Sequence, residues 1–460
     1  MKEAKISVRF DEECGRVKPM HATNNGPTKG RGFGSAKTRG FEDWREAGIP
    51  YARTHDSSFN AGYGGEHTVD VHAIFPNFDA DVSDPASYDF AFTDQYLSNI
   101  NSCGTEVFYR LGTKIEHGVK KYHTFPPKDF QKWAEICEHI ILHYTEGWAD
   151  GFTYKMEYWE IWAEPDLDPD DAEDKRTWGG TAAEFYRFYI TAARHLKKRF
   201  PHLKIGGPAV AFRIPWLEGF FEALAAEKER VPLDFFSFHC YGSTLEKIFA
   251  RSTKARELLN AYGYENTESI LDEWNYVQGW DNFIYSVKHI ISIKGAAFEA
   301  FVMCACQNDS DIDMLMYYDA RPSVYNGLFD YYTNERLKGY YPFKMFNTLY
   351  QLGTACHCEI LGEDIRAAAA KGNGESALMI AYFNDNDEDK SERKITLSLE
   401  GGAEKYDLYI LDETRDCELV KTIRNGGTIT MKKTPFVCFV PAFKDKKRAA
   451  QVAKLELPSW

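Results

Sequence analysis

Residues 158–166 read YWEIWAEPD, an aromatic and apolar run that carries two glutamates and stops at a proline. In an extended strand residues alternate between faces, so Glu160 and Glu164, four apart, share one face. Proline lacks the N–H that a further ladder bond needs and closes the element. Carboxylates are rarely buried without a partner, so acids inside such a run require a purpose.

Similar runs recur on either side: MHATNN (20–25), IPYARTHD (49–56), EVFYRLGT (106–113), LKIGGPAVA (203–211), DFFSFHCYG (234–242), SILDEWNY (269–276) and AAFEAFVMCAC (296–306). With residues 158–165 they make eight candidate strands. Between them lie segments with apolar residues three and four apart, such as PKDFQKWAEICEHIILHYTE (127–146) and AAEFYRFYITAARHLKKRF (182–200), the spacing of amphipathic helices. Strand–helix alternation implies parallel pairing, and eight units predict a closed (β/α)8 barrel, the TIM-barrel architecture of the α/β class. No glycine-rich phosphate turn follows the first strand, which argues against an open dinucleotide-binding sheet.

After YYPFKMFNTLYQLG (340–353), read as the last barrel helix, the period changes. ALMIAYFN, RKITLSL, KYDLYILDE, TITMKK and FVCFVP alternate with turn-rich KGNGE, NDNDEDKSE, EGGAE and RNGGT. Two-residue periodicity cut by such turns predicts an antiparallel β-sandwich. The expected division is residues 1–14 as a strand pairing with the sandwich, 15–353 as the barrel and 354–460 as the sandwich.

The 460 residues carry a formal charge of −14 and 27 Tyr, 32 Phe and 10 Trp. Net negative charge argues against a nucleic-acid partner, which needs clustered Lys and Arg; the dense basic run KDKKRAA (444–450) reads as a solvated surface segment. No stretch of 18 apolar residues is present and MKEAKISVRF lacks the apolar core of a secretory leader, so no membrane partner and a cytoplasmic location are expected. Ten scattered cysteines, mostly in apolar runs, read as reduced buried thiols. The spacing of CAC (304–306) and CHC (356–358) does not match structural zinc sites, and neither a metal nor a cofactor is predicted.

In a closed parallel barrel reactive groups gather at the carboxyl ends of the strands. Glu164 and Glu273 occupy such ends, flanked by Trp162 and Trp274. Two carboxylates facing each other across a barrel mouth suit glycosidic cleavage: one protonates the departing oxygen and the other meets the anomeric carbon, directly when they are about 5–5.5 Å apart. The alternative for each is a structural pair with a buried arginine. Arg53 is a candidate donor to Glu273 or, equally, a salt-bridge partner of Glu160. Trp280 is placed to offer a flat face to a sugar ring. In the segment after the eighth candidate strand, Asp309, Asp311 and Asp313 could grip hydroxyls and Arg321 a carboxylate. No convincing His and acid cluster for a metal-dependent sugar isomerase is visible.

WEIWAEPDL resembles the acid/base strand of glycoside hydrolase family 39, the β-xylosidase and α-L-iduronidase family. LDEWN (271–275) is similar to its nucleophile strand, KIGGPAVA to its fifth strand, VKPMHATNNGP to its first, and residues 326–353 to its last loop and helix. The resemblance implies a retaining exo-glycosidase with Glu164 as general acid/base and Glu273 as nucleophile, acting on an oligosaccharide or glycoside. β-Xylosides come first, then α-L-arabinosides, because LDEWN also resembles the family 51 arabinofuranosidases; a homo-oligomer is a further implication. It also makes His55, His239 and Tyr241 pocket residues that bond ring hydroxyls. Apolar neighbours should keep Glu164 protonated and a donor-rich setting should keep Glu273 ionised. One position departs: Ala163 stands where the family has an asparagine that bonds the sugar 2-hydroxyl. Either the substrate differs at its second carbon, another side chain supplies the bond, or the chain is a non-hydrolytic sugar-binding barrel.

Overall fold

The computed structural model describes residues 2–27, 40–55, 67–321, 323–389, 391–431 and 435–443; Asp56 and the basic run 444–450 fall outside them. A long first strand, β1 (Lys2–Arg16), precedes eight strands that close into a barrel: β2 (Ala22–Asn24), β3 (Tyr51–Thr54), β4 (Glu106–Leu111), β5 (Tyr158–Ile161), β6 (Lys204–Val210), β7 (Phe235–Gly242), β8 (Glu268–Tyr276) and β9 (Met314–Tyr317). Each pairs in parallel with the next, and β2 closes the ring on β9.

Seven of the eight apolar runs contain these strands, but residues 296–306 do not. They lie in a helix, Ile293–Asp309, whose residues 294–307 are buried all round. That helix packs between the barrel and the second sheet, so it has no polar face, and an apolar run without a polar face cannot be told from a buried strand by periodicity. The true eighth strand is the short Met314–Tyr317, seated within what reads as a loop. Among the described residues no single helix is long and apolar enough to cross a membrane.

The barrel floor is plugged by inward-facing Ala22, Phe108, Tyr158, Phe235, Ile270, Met314 and Met316, with Phe108 ring-to-ring against Tyr158 and Phe235, 5.1 Å in each case. A barrel interior filled in this way is packed core and not a pore. Side chains one layer higher therefore open only toward the strands' carboxyl ends, where a site can form.

The rest of the chain adds β10 (Thr354–Leu361), β11 (Ile365–Gly372), β12 (Glu375–Tyr382), β13 (Arg393–Glu400), β14 (Lys405–Leu411), β15 (Asp416–Arg424), β16 (Thr428–Met431) and β17 (Phe436–Ala442). With β1 they form one sheet of nine strands in the order β15-β14-β17-β12-β11-β10-β1-β13-β16. β1 runs antiparallel to β10 and parallel to β13. The sheet curls over its own core of alternate residues, among them Ile6, Val8, Leu378, Ile380, Leu397 and Ile410. Its other face, Ala368, Ala370, Ala377 and Met379, joins the barrel's core. All ten cysteines are free and Cys14 alone is exposed.

A buried cation fastens the two parts together. Lys294 Nζ lies 3.0 Å from Asp385 Oδ1 and 2.9 Å from Asp387 Oδ1 and donates to Tyr285 Oη at 2.7 Å, while Tyr276 Oη donates to Asp385 Oδ1 at 2.5 Å. Tyr276 ends β8, so the turn after β12 is tied to the strand that carries Glu273. The ammonium is buried while Asp385 and Asp387 keep 25% and 49% of their side-chain surface in water, so its loss costs mainly the hydrogen bonds that it donates. Lys294→Met should cost about 1.5–3 kcal/mol of stability in urea unfolding followed by fluorescence; a loss within the scatter of surface substitutions would refute this account.

Candidate active site

The inner face of β7 climbs from the plug to the mouth in steps of two residues. Phe235 belongs to the floor; Ser237 Oγ donates to Glu160 Oε1 at 2.7 Å; the His239 Nδ1 edge meets Glu164 Oε1 at 2.7 Å; and Tyr241 Oη donates to Glu273 Oε2 at 2.7 Å. Period two and a rise of about 3.3 Å per residue place these groups one above another. One strand thus touches three acids, Glu160 on β5, Glu164 just past its end and Glu273 on β8.

Arg53, fully buried on β3, joins the same groups from the opposite wall. Its Nε donates to Glu160 Oε2 at 2.7 Å and lies 3.1 Å from Asp272 Oδ2. Its NH1 donates to Glu273 Oε1 at 2.8 Å and to Asn24 Oδ1 at 2.9 Å. Both partners read for Arg53 in the sequence are therefore engaged at once. Adjacent Asp272 and Glu273 should face opposite sides of a regular strand. They reach one guanidinium because the β7–β8 register slips between Phe238–Leu271 and His239–Glu273, leaving Asp272 as an extra residue in β8. A bulge of this kind re-aims side chains beside active sites. It is also why Asp272 is missed in the sequence, where strict alternation turns it outward.

Glu164 is aimed by a bend at the end of β5. Trp162 and Glu164 have φ of 73° and 48°, a left-handed region that costs a non-glycine residue about 1–3 kcal/mol and persists only where neighbours enforce it. Here Trp162 N–H donates to Leu111 O, Glu164 N–H to Ala209 O and Thr177 Oγ1 to Glu164 O, at 2.7, 2.8 and 2.6 Å. The bend swings the carboxylate over the barrel axis, and one ligand atom each of Glu164, His239 and Glu273 lies within 4.8 Å of the others. A histidine and two acids, far apart in the chain, thus form the cluster that sequence spacing did not reveal.

The remaining candidates divide by position. His55 Nε2 is 3.5 Å from Glu273 Oε1. Trp280 is 59% exposed, T-shaped to Tyr241 at 5.7 Å and stacked on Phe283, leaving an open face beside Tyr241. Trp162 and Trp274, by contrast, pack outward among the barrel's helices and offer nothing to a ligand. Asp309 ends the helix before β9, and Asp313 precedes that strand, its N–H donating to Ser269 O at the start of β8. With Asp311 between them, these acids lie at the floor end, away from the mouth, because the strand taken to precede them is a helix. Arg321 follows β9 and faces Asp319 Oδ2 at 3.4 Å, so a buried aspartate answers its charge.

Residues 18–273 match the family model described as glycosyl hydrolases family 39. The chain belongs to that family. A curated β-xylosidase from Caldicellulosiruptor saccharolyticus is 27% identical over 274 residues, 55% of this chain and 49% of that protein; another from Geobacillus stearothermophilus is 27% identical over 168 residues, 34% and 31%. This family 39 chain therefore spans about half or less of the curated relatives it matches. Among solved structures, a glucosidase from Croceicoccus marinus superposes with a TM-score of 0.73 at 22% identity, covering 96% of this chain and all of that one, which attests the shared fold.

The electrostatics of the family 39 site differ from expectation. Burial works against charge on His239, but Glu273, Asp272 and Glu164 outweigh it and hold the imidazole's pKa well above its ordinary value. Burial pushes Glu273 up, opposed by His239 and Arg53 and reinforced by Glu164 and Asp272; the donors around it do not offset its desolvation in the open pocket. Burial likewise lifts Glu160, to about 8, against the pull of Arg53. Asp272, though buried, is carried below its ordinary value by Arg53 and His239. Glu164 meets a charged imidazole, not the apolar wall expected.

Without its guanidinium the site holds several buried acids and no cation on that wall. Arg53→Met should destabilise the fold by about 3–5 kcal/mol, read from chemical unfolding, and Arg53→Lys should recover only part of this because an ammonium cannot span the same acceptors. A Lys variant as stable as the parent would show that the fork geometry is unimportant.

Proposed function

We propose that this family 39 chain is a retaining exo-glycosidase that removes a terminal β-xylose-like sugar from an oligosaccharide or glycoside. The observation that supports it is the separation of the Glu164 and Glu273 carboxylates, within 4.8 Å, close to the spacing at which the second carboxylate attacks directly and short of the roughly 6.5–9.5 Å that leaves room for a water on the far face of the sugar. The Glu273 side chain is only 6% exposed, so a single ring entering end-on suits it better than a chain lying across an open cleft. Among the described residues the wall beside it carries Tyr241, Trp280, Tyr318 and Tyr325, rings fitted to the C–H faces of a sugar.

In this reading Glu273 attacks the anomeric carbon as the glycosidic oxygen departs with a proton from the Glu164–His239 pair. That pair shares one proton along its 2.7 Å contact: His239, kept cationic by the surrounding carboxylates, supplies Glu164 as negative charge grows on the leaving oxygen. The glycosyl–Glu273 ester is then cleaved by water, whose proton returns to Glu164. Arg53 and Tyr241 each hold one Glu273 oxygen, Arg53 Oε1 and Tyr241 Oε2, and receive the carboxylate again when the ester breaks. Double displacement leaves the anomeric configuration unchanged.

The expected outcome of Glu273→Ala is loss of turnover on aryl xylosides by a factor of about 10^4 or more, with added azide restoring release of the aryl group as an inverted glycosyl azide. Binding of xylosides with no turnover in the parent chain would instead establish the non-hydrolytic sugar-binding barrel.

Ala163 favours a second reading of the substrate. It is buried between Trp162 and Glu164, and its methyl group provides no donor for a 2-hydroxyl. A sugar inverted or substituted at its second carbon fits this position, with an α-L-arabinoside as a further alternative. Ala163→Asn should raise kcat/KM on plain xylosides by about 10-fold or more, the scale of one transition-state hydrogen bond. No gain on any sugar would sink this explanation of the alanine.

A further inference from the structure

Metal chemistry is no part of the reaction drawn above, but the mouth of the barrel carries a ligand set of its own. We propose that Glu164, His239 and Glu273 form a binding site for a divalent transition-metal ion, Zn2+ foremost, whose occupancy shuts the pocket in competition with the sugar. The donors are two carboxylate oxygens and one imidazole nitrogen, the set that zinc takes with one position left open for water. His239 Nδ1 lies 2.7 Å from Glu164 Oε1 and 3.4 Å from Glu273 Oε2, and all three donors fall within 4.8 Å of one another. Neighbouring ligands of a tetrahedral ion bound at about 2.0–2.1 Å sit about 3.3 Å apart, so small rotations of two carboxylates complete the fit.

An independent feature lies behind the imidazole. His239 Nε2, buried and without a hydrogen-bond partner, faces Asp272 Oδ1 at 3.6 Å, and Asp272 is held at 3.1 Å by Arg53. A carboxylate that accepts from the far nitrogen is the recurrent support of a metal-bound histidine, fixing its tautomer and raising its basicity, and Asp272 needs to approach by only about half an ångström to accept that bond. Mg2+ and Ca2+ prefer complete oxygen shells, which a site with one nitrogen and two carboxylates does not supply. On entry the ion takes the place of the proton between His239 and Glu164, which leaves to solvent. The 19% exposed Glu164 side chain marks the way in. With Glu273 engaged by the ion, the carboxylate that would attack a sugar is occupied, so metal and sugar exclude each other.

Equilibrium dialysis of chelator-treated protein against ZnCl2, with no glycoside present, tests this independently of turnover. One Zn2+ per chain is expected in the wild type, with affinity lowered about tenfold or more by Glu164→Gln, no comparable uptake of Mg2+, and displacement of the ion by excess xylose. Co2+ in place of Zn2+ should give the visible absorption of a low-coordinate nitrogen–oxygen site, absent in Glu164→Gln. His239→Gln should abolish binding; because His239 is buried, the partly exposed Glu164 variant carries the test if that chain fails to fold. Uptake equal in wild type and Glu164→Gln would place the ion elsewhere, for example at the part-buried pair His195–Glu138, and overturn the proposal, as would no uptake at millimolar Zn2+. The xylose arm rests on the glycosidase reading, whose failure would also show in turnover and azide rescue, whereas uptake by wild type and Glu164→Gln decides the metal site without any sugar, so the two outcomes stay separate.

Discussion

One guanidinium holds this site together. Arg53 is wholly buried, and its nitrogens reach Asn24 on β2, Glu160 on β5, and Asp272 and Glu273 on β8. Desolvating so many acids is costly unless the charge is answered and the remaining acceptors are bonded. The structure meets this in two ways. Arg53 and His239 supply positive charge from facing walls, and burial pushes Glu160 upward, toward its neutral form. The barrel centre is thus a set of mutually dependent ionisation states, and altering one member changes the others.

Strand geometry converts this charge cluster into a reactive arrangement. β7 contributes a side chain at each step of two residues, and each touches an acid from another strand. The slipped register of β8 adds what alternation cannot, two consecutive acids on one face. The left-handed turn at Trp162 and Glu164 does the same for β5, carrying a carboxylate beyond the strand's regular end. Both irregularities lie where the side chains have to converge, while the floor below is ordinary apolar packing.

The second sheet has a part in this that reaches past its own core. β12 is buried along its whole length, and the turn after it brings Asp385 and Asp387 to Lys294, with Tyr276 donating to Asp385. Tyr276 follows Glu273 by three residues. The carboxyl-terminal half of the strand that presents Glu273 is therefore tied twice, by the barrel's charge cluster at Asp272 and Glu273 and, at its last residue, by an ion cluster from the accessory sheet.

Much of the barrel was legible in the residues themselves. Alternating apolar runs and amphipathic helices mark seven of the strands, and strand ends identify Glu164, Glu273, His239 and Tyr241, because in a parallel barrel the ends of strands become the mouth. What escaped are features set by contacts between distant segments. Helix Ile293–Asp309 looks like a strand because neighbours cover all its faces, and β9 hides in a loop because four residues carry too little pattern to announce themselves. Asp272 was invisible because a bulge, set by how β8 pairs with β7, breaks the rule by which side chains are sorted. The ionisation states could not be read either. They depend on distances among Arg53, His239 and carboxylates spread over some 220 residues of chain, and Coulomb energies follow separation in space. The sequence determined which chemical groups would meet at the mouth of the barrel; tertiary structure alone decided how close they stand and which of them hold protons.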